Sequence, residues 1–386
     1  MIYVTFKKRF KNTAILMMPV VILSMAVFFG GVFAKHGGKA ALVLVGTQMP
    51  KESVSVFIDE LEGGSDEEIQ SVIDDLNIPE HTPPSASVLA SSGVSSNTKA
   101  SNQTPADIQS LIDLATKTQA KAAKSGNIRE YTYGESNATD VYQNVAVRNV
   151  TESHSVNIAE CLKAPCVLDT ADKSQPLVLI YHTHTTESYE MLDRGWYSDS
   201  FPTRSSSETT NMVRVGDAIC ERLTAAGYSV IHDRQIHDTS YTGSYARSRE
   251  AIESYKEKYP SLQVIIDVHR DGIKHSDGTK TKPVATINGK KAAQIMIIAG
   301  CEDGKITEFP GWENNLNFAV QLQKHAEDMY AGLMRPIYFS PRKYNMDTSP
   351  CGVLLEMGSD ANTLDEAVYS GALIGDALAS LLNAYD

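Results

Sequence analysis

Residues 177–187 have the sequence Leu-Val-Leu-Ile-Tyr-His-Thr-His-Thr-Thr-Glu, in which an apolar run is followed at once by side chains that can bind a metal ion. Four apolar residues followed by Tyr181 predict a strand of a parallel sheet that is buried on both faces. Functional sites of such sheets lie at the carboxyl ends of the strands. We therefore expect a site among the polar residues that follow this strand: His182, His184 and Glu187.

Apolar strands alternate with amphipathic helices from residue 175 to residue 386. The pattern predicts strands at 177–181, 228–232, 264–268, 283–288, 294–300, 337–339 and 353–355, and helices at 211–226, 245–258 and 312–334. This alternation is typical of an α/β fold with a mostly parallel or mixed sheet flanked by helices. We expect residues 175–386 to form the catalytic domain.

Three of the predicted strands end on groups that bind metals or carry protons. His182 and His184 follow the first of these strands, His269 follows the second and Glu356 ends the third. Parallel strands bring their carboxyl ends to one edge of a sheet, so these groups are expected to converge. Two imidazoles and a carboxylate with one open position are typical of a hydrolytic zinc site, and a further carboxylate serves as general acid and base. We assign that last role to Glu356.

The identity of two zinc ligands stays open at this stage. His182 and His184 would project to the same face if the strand continued, so either can be the first ligand. Glu208 precedes the helix that starts at residue 211 and is the first choice for the carboxylate ligand. The alternatives for that ligand are Glu187 and Asp271.

Arg270 follows His269 directly and is a second candidate for a catalytic role. A guanidinium group binds a carboxylate through two parallel hydrogen bonds, so Arg270 is expected to orient a carboxylate of the substrate. The alternative is an ion pair with Asp267 or Asp271.

The first 174 residues predict that the domain at residues 175–386 lies on the far side of a membrane from the cytoplasm. Residues 1–12 form a basic tail, and the next stretch, residues 13–34, contains no charged side chain. This stretch is long enough for one transmembrane helix, and the basic tail predicts that its N-terminus lies in the cytoplasm. A cleaved signal peptide is the alternative, but its apolar core is shorter, at roughly 7 to 15 residues. Residues 35–104 are expected to form a membrane-proximal segment and a low-complexity linker. Residues 105–174 predict a helix at 105–124 and a hairpin with strands at 144–150 and 153–158.

The composition of the whole chain excludes some classes of function. The formal net charge of −12 over 386 residues argues against a nucleic-acid partner. Five cysteines in a chain of this length do not form a disulfide framework, and no Cys-x-x-Cys pair is present. Cys161 and Cys166 are close enough in sequence to bridge in an oxidising compartment.

Four separated motifs make this sequence similar to a known family. They are Tyr-His-Thr-His-Thr-Thr-Glu-Ser-Tyr at 181–189, Val-Gly-Asp at 215–217 in the helix that starts at residue 211, Asp-Val-His-Arg-Asp at 267–271, and Leu-Glu-Met-Gly-Ser-Asp-Ala-Asn at 355–362. Together they resemble stage II sporulation protein P over residues 175–386. More distantly, the order His, Glu, His and late Glu resembles the zinc-dependent N-acetylmuramoyl-L-alanine amidases.

The resemblance implies cleavage of the amide between muramic acid and L-alanine in peptidoglycan, with one zinc ion and a second, endopeptidase activity on peptide cross-links. It implies that His184 is the first ligand, with His182 as its rival, that His269 is the second histidine ligand, and that Glu356 is the catalytic glutamate. It also implies action at the septal and engulfing membrane between forespore and mother cell, with stage II sporulation proteins D and M as partners. The glycine-rich turn of the amidases is replaced here by Thr-His-Thr-Thr at 183–186.

Two other functions fit the same residues. A zinc carboxypeptidase or endopeptidase acting on stem peptides would use the same metal on a different bond. A non-catalytic scaffold that binds peptidoglycan within a membrane-remodelling complex would need neither the metal nor Glu356.

Overall fold

The structure is a computed structural model that describes residues 87–89, 99–170 and 172–385. The predicted basic tail (1–12), the predicted transmembrane anchor (13–34) and most of the predicted linker (35–104) lie outside these residues. Within the described part of the chain, no helix has both the length and the apolar character needed to cross a membrane.

The elements follow the predicted alternation closely. The strands are β1 (Ser87–Leu89), β2 (Gly126–Tyr131), β3 (Asp140–Tyr142), β4 (Val145–Asn149), β5 (Pro176–Tyr181), β6 (Trp196–Tyr197), β7 (Ser229–His232), β8 (Val264–Asp271), β9 (Lys280–Ile287), β10 (Lys290–Ala293), β11 (Ile295–Gly300), β12 (Ile337–Ser340) and β13 (Cys351–Ser359). The helices are α1 (Ala106–Thr118), α2 (Ile158–Lys163), α3 (Met212–Ala225), α4 (Ser244–Lys258), α5 (Trp312–Met329) and α6 (Leu364–Asn383).

The main sheet has nine strands in the order β1-β7-β5-β8-β13-β11-β12-β4-β3. Strands β7, β5, β8 and β13 run parallel to one another, and so do β11, β12 and β4. The pairs β11 with β13, β1 with β7 and β3 with β4 are antiparallel. The prediction of an α/β fold with a mixed sheet is therefore confirmed, and β5, β8 and β13 lie side by side as the site requires.

The two faces of this sheet are covered by different elements. Val178 and Ile180 of β5 belong to a large apolar cluster with side chains of α3, α5 and α6. Leu179 and Tyr181 point to the opposite face, where they contact Ile252 of α4. Each face of the central strands is thus buried, which explains the continuous apolar run at residues 177–181. Helix α4 covers only the β7–β5–β8 part of its face.

A second sheet of four strands has the order β10-β9-β2-β6. Its β9–β10 hairpin closes through Asn288 and Gly289, whose φ angles are 49° and 82°. Both angles lie in the left-handed region that a two-residue turn of this type requires, and Asn-Gly is the sequence that adopts it most readily.

The predicted hairpin at residues 144–158 is wrong in its second strand. Residues 153–158 form no strand; β4 pairs instead with β3 on one side and with β12 of the main sheet on the other. The side chain of Asn149 accounts for the turn away from β4, because its amide donates to the carbonyl of His154 and its oxygen accepts from Thr151. Such local side-chain hydrogen bonds replace those of a strand.

All five cysteines are free and buried, and Cys166 and Cys351 lie close enough that each thiol influences the pKa of the other. We expect oxidised glutathione to convert this pair, rather than Cys161 and Cys166, to a disulfide, with two electrons passing to the oxidant. Peptide mapping without reduction would detect the cross-link, and closing so long a loop should stabilise the fold by about 2 to 4 kcal/mol. Cys351→Ala should abolish the cross-link and Cys161→Ala should not. A Cys161–Cys166 peptide would contradict the prediction.

Candidate metal centre and catalytic carboxylate

The carboxyl ends of β5, β8 and β13 converge as expected. In these parallel pairs Tyr181 lies opposite Asp267, and Glu356 lies opposite His269. His184, three residues beyond the end of β5, turns back toward the same edge, so that its ring centroid lies 5.0 Å from that of His269. The fold therefore brings together groups as far apart in sequence as His184 and Glu356, which are 172 residues apart.

His184, Glu187 and His269 form a group that could hold one metal ion. Their donor atoms all lie within 4.8 Å of one another, and all three side chains are buried. Glu187 lies between the two rings, with Oε1 3.6 Å from Nδ1 of His184 and Oε2 3.7 Å from Nδ1 of His269. Zinc bonds of about 2.0 to 2.2 Å in a tetrahedron need donor separations of roughly 3.4 Å. The two imidazoles and one carboxylate therefore fit a zinc ion with small adjustments.

Asp267 contacts the His269 ring on the nitrogen that faces away from Glu187. Nε2 of His269 lies 2.8 Å from Oδ1 of Asp267, although out of line for a hydrogen bond, so that the contact is an ion pair. Thr183 holds the carboxylate by donating from its backbone N–H (2.9 Å) and its hydroxyl (2.7 Å). A carboxylate on the far nitrogen of a ligating histidine fixes the ring and makes it more basic. Nδ1 of His269 is thereby left to face Glu187.

The electrostatics of the group follow from these contacts. Burial lowers the pKa of His269, but Asp267 and Glu187 outweigh it and raise this pKa to about 9. Burial raises the pKa of Glu187, but the close contact with His184 and the charges of His269 and Arg270 outweigh it and lower this pKa to about 2. The Glu187 carboxylate is thus held ionised in a buried position between two histidine rings.

Glu356 lies beside the group without belonging to it. Burial and the neighbouring Asp271 raise the pKa of its carboxyl to about 8, while His269 acts in the opposite direction. Its Oε2 atom is buried and has no hydrogen-bond partner among the described residues. A carboxyl group that has one unpartnered oxygen and titrates near neutral pH can accept and release a proton, which is what general acid–base catalysis requires.

Two aromatic side chains of the loop before α4 and of α4 itself pack against His184. Tyr241 is 70% exposed and stacks on the His184 ring, with centroids 4.8 Å apart. Tyr245 meets the same ring edge-on at 5.7 Å. Together they fix the plane of the imidazole. Sequence reasoning missed both tyrosines, because no periodicity connects them to the strand ends.

Arg270 has a different task from the one predicted. Its guanidinium donates to the backbone carbonyls of Ser188 (2.6 Å) and Thr203 (2.7 Å), and its backbone N–H donates to Glu187 (3.2 Å). These donors are therefore occupied by the chain itself, and Arg270 holds the loop that carries Glu187. Arg204 adds to the hold, with its guanidinium 3.6 Å from the Glu187 carboxylate.

His182 turns away from the group, because β5 ends at Tyr181 and the strand alternation stops there. Its Nδ1 bonds to the carbonyl of Val268, and its Nε2 lies 2.9 Å from Nε2 of His232. Burial and the neighbouring His232 lower the pKa of His182 to about 3, so the ring is neutral. His232 in turn lies 3.0 Å from Asp217. The expectation that His182 could be the first ligand is corrected: it is a buried support beneath β8.

Glycine at position 216 of α3 makes room for this histidine pair. A Cβ atom there would lie 2.5 Å from Nε2 of His232 and 2.8 Å from two ring atoms of His182. We expect Gly216→Ala to lower the free energy of unfolding by about 1 to 3 kcal/mol, because overpacking outweighs the gain in helix propensity. Urea unfolding monitored by circular dichroism would measure this. Gly134→Ala, at a position with open space around it, is the control; equal stability of the two variants would contradict the prediction.

Glu208 is not brought to the group. Its carboxylate accepts from Nε of Arg234 at 2.9 Å, and half of its side chain is exposed. The loop before α3 carries Glu208 to the outer side of the helix start, where Arg234 also binds Asp217. The expectation that Glu208 is the third ligand is corrected, and Glu187 occupies the corresponding position in the group. Asp271, the other alternative, binds Arg335 instead.

The sequence matches one protein family over most of its length. The family described as Stage II sporulation protein P (SpoIIP) matches residues 70–379. A protein named Stage II sporulation protein P from Bacillus subtilis (strain 168) is 29% identical over 250 residues, which cover 60% of this chain and 59% of that protein. The chain thus spans about 59% of the length of this curated relative.

Solved structures show weaker similarity. The CwlD amidase from Clostridioides difficile, in complex with the GerS lipoprotein, is 10% identical with a TM-score of 0.36, covering 54% of this chain and 99% of that chain. The N-acetylmuramoyl-L-alanine amidase AmiC2 of Nostoc punctiforme is 11% identical with a TM-score of 0.33, covering 55% of this chain and 98% of that chain.

Proposed function

The chain belongs to the stage II sporulation protein P family, and from that membership we propose that it is a zinc-dependent peptidoglycan hydrolase. The bond that we propose it cleaves is the amide between N-acetylmuramic acid and L-alanine. The observation that carries the proposal is the group of His184, Glu187 and His269 with Glu356 beside it, whose Oε2 atom has no hydrogen-bond partner among the described residues.

His184, Glu187 and His269 would hold the zinc ion, and Asp267 would orient the His269 ring. When bound, zinc acts as a Lewis acid that polarises a carbonyl and makes water nucleophilic at neutral pH. Burial of all three ligands keeps competing water away from them.

Glu356 would carry the proton through the reaction. Hydrolysis adds water across the amide: a C–O bond forms between the lactyl carbonyl carbon and the water oxygen, the C–N bond breaks, and the L-alanine nitrogen gains a proton. In our proposal the Glu356 carboxylate takes a proton from the attacking water and returns it to the departing nitrogen. The absence of a hydrogen-bond partner for its Oε2 among the described residues leaves this atom available for both transfers.

The proposal extends to location and partners. The uncharged stretch at residues 13–34 would anchor the chain in the cell membrane by a single span, with the N-terminus in the cytoplasm and the catalytic domain outside it. Peptidoglycan would be the substrate, and stage II sporulation proteins D and M would be partners at the septum between forespore and mother cell during engulfment. Co-purification of the three proteins from sporulating cells would test the partnership.

Digestion of purified peptidoglycan by the full-length chain in detergent, followed by mass spectrometry, tests the function. We expect free stem peptides together with peptide-free glycan strands, and we expect chelation to abolish their release and zinc to restore it. Trimmed or uncross-linked muropeptides without free stem peptides would identify a peptidase instead. Binding to peptidoglycan without release of any product, by a protein that purifies without zinc, would identify a non-catalytic scaffold.

A further inference from the structure

A cleft of about 290 Å³ opens beside Glu356 on the face of the sheet that α4 leaves uncovered. The pairing registers define its floor. Glu356 of β13 lies opposite Met296 of β11, and one row further on Ile298 of β11 lies opposite Tyr338 of β12. Tyr338 in turn lies opposite Arg148 of β4. The cleft therefore runs across the strands, from the metal-binding group to the edge of the parallel β11–β12–β4 segment.

Both signs of charge line this cleft, and Arg335 forms an ion pair with Asp271. Its carboxylates, Glu356 and Asp271, lie at the end nearer to His269, since they come from β13 and β8. Its two cations are Arg148 on β4 and Arg335 in the segment just before β12. A ligand lying in the cleft would thus meet Glu356 and the Asp271–Arg335 ion pair at one end and the guanidinium of Arg148 toward the other.

Arg335 is held in place but retains unused donors. It is 7% exposed; its Nη1 donates to Asp271 at 3.1 Å, and its guanidinium lies over the ring of Tyr133 at 4.6 Å. Its Nε is buried and has no acceptor among the described residues. A fixed guanidinium with free donors binds a carboxylate at a low entropic cost.

Arg148 is the more accessible of the two cations. It is exposed, and its side chain forms no hydrogen bond or ion pair with any residue in the described part of the chain. Most other arginines that line buried or half-buried parts of this fold, such as Arg214 and Arg249, are paired with acidic side chains. An unpaired cation at the end of a cleft is available to a ligand.

The width of the sheet sets the length of such a ligand. Three strand spacings separate β13 from β4, which amounts to about 14 Å. An extended peptide advances about 3.3 to 3.6 Å per residue, so about four residues span this distance. A peptide whose first residue lay at Glu356 would therefore bring the carboxylate of its third or fourth residue close to Arg148.

We propose that Arg148 and Arg335 form a carboxylate-binding subsite that selects a substrate with an anionic peptide of three to four residues extending from the cleaved amide. The inference rests on the proposed function for the direction of the substrate: the bond to be cleaved lies at Glu356, and the peptide runs across β11 and β12 toward β4. Arg148 contributes to substrate selection alone, whereas Arg335 also lies beside Asp271 at the Glu356 end of the cleft.

The test compares Arg148→Gln with the wild-type full-length chain, both loaded with zinc, on N-acetylmuramoyl tetrapeptide and on the same compound with its peptide carboxylates amidated. For the free carboxylates we expect Arg148→Gln to raise KM about tenfold with kcat within about twofold, as for the loss of one charge-assisted hydrogen bond. On the amidated compound the two proteins should have the same KM. Arg129→Gln, an exposed arginine of β2 outside the cleft, is the matched control and should behave as wild type. Arg335→Lys keeps the positive charge but loses the paired donors of the guanidinium, so its KM for the free carboxylates should lie between those of the wild type and Arg148→Gln.

Equilibrium binding separates failure of this inference from failure of the proposed function. Calorimetric titration of the full-length, zinc-free protein with the tetrapeptide compound requires no hydrolysis. Weaker binding by Arg148→Gln, only when the carboxylates are free, supports the subsite even if no cleavage is ever observed. Cleavage by the wild type with no change of KM or binding in Arg148→Gln overturns the subsite and leaves the hydrolase proposal standing. An equal loss of affinity for the free and the amidated compound in Arg148→Gln also overturns the subsite, because the effect would then not depend on the carboxylate.

Discussion

Glu356→Gln is expected to reduce kcat for peptidoglycan hydrolysis by about 10²- to 10⁴-fold, the range for loss of a general acid–base group. Glutamine has nearly the same shape but cannot take a proton from water or return it to the amine. Because Glu356 lies outside the group formed by His184, Glu187 and His269, the zinc content of the variant should equal that of the wild type. Product release measured by mass spectrometry, together with metal analysis of the same sample, checks both statements.

The control for this prediction is Glu313→Gln, an exposed glutamate at the start of α5 that should retain full activity. Loss of zinc from Glu356→Gln would show that Glu356 is a ligand and that the division of roles is incorrect. Undiminished kcat with normal zinc content would remove Glu356 from the reaction.

Glu187→Ala is expected to weaken zinc binding by more than about 100-fold, beyond the 10- to 100-fold effect that replacing an outer support of a ligand has. Glu187 supplies the carboxylate that lies between the two rings, 3.6 and 3.7 Å from their Nδ1 atoms, and removing it leaves two nitrogen donors. Titration with zinc against a competing chelator measures the change in affinity.

Glu208→Ala is the matched control for Glu187→Ala, because Glu208 was the carboxylate that the sequence favoured and the structure pairs it with Arg234. Its zinc affinity should equal that of the wild type. The opposite pattern, with zinc lost from Glu208→Ala and retained by Glu187→Ala, would mean that the loop carrying Glu208 rearranges when the metal binds.

The convergence at the sheet edge could be predicted from sequence because it depends on strand direction alone. His269 and Glu356 come from parallel neighbours, so the apolar runs before them were sufficient to bring them together. The choice of ligand after β5 could not be predicted in this way. The strand ends at Tyr181, and the following turn decides that His184 faces the metal-binding group while His182 faces α3. Turn geometry of this kind leaves little trace in hydrophobic periodicity.

Some features that were missed did carry a signal. Thr363 and Glu366 form a capping box at the start of α6, and this Thr-x-x-Glu pattern marks a helix start that the pattern of apolar strands does not reveal. Asn288 and Gly289 likewise marked the β9–β10 hairpin. Asp267 lies two residues before His269 on the same side of β8, which strand alternation predicts. By contrast, the alternation at residues 153–158 gives no sign of the hydrogen bond from the Asn149 side chain to the carbonyl of His154.

The hold that Arg270, Arg204 and Asp267 exert on the ligands has a consequence for how the protein would be controlled. In small zinc domains the unfolded chain must gather its ligands, so that losing the ion means losing the fold. Here Arg270 binds the carbonyl of Ser188 in the loop that carries Glu187, and Arg204 lies beside the Glu187 carboxylate. Thr183 donates to Asp267, which contacts His269. The protein would therefore stay folded without the ion, and zinc binding would activate it without refolding. For the proposed hydrolase, the supply of metal would then set when cleavage begins.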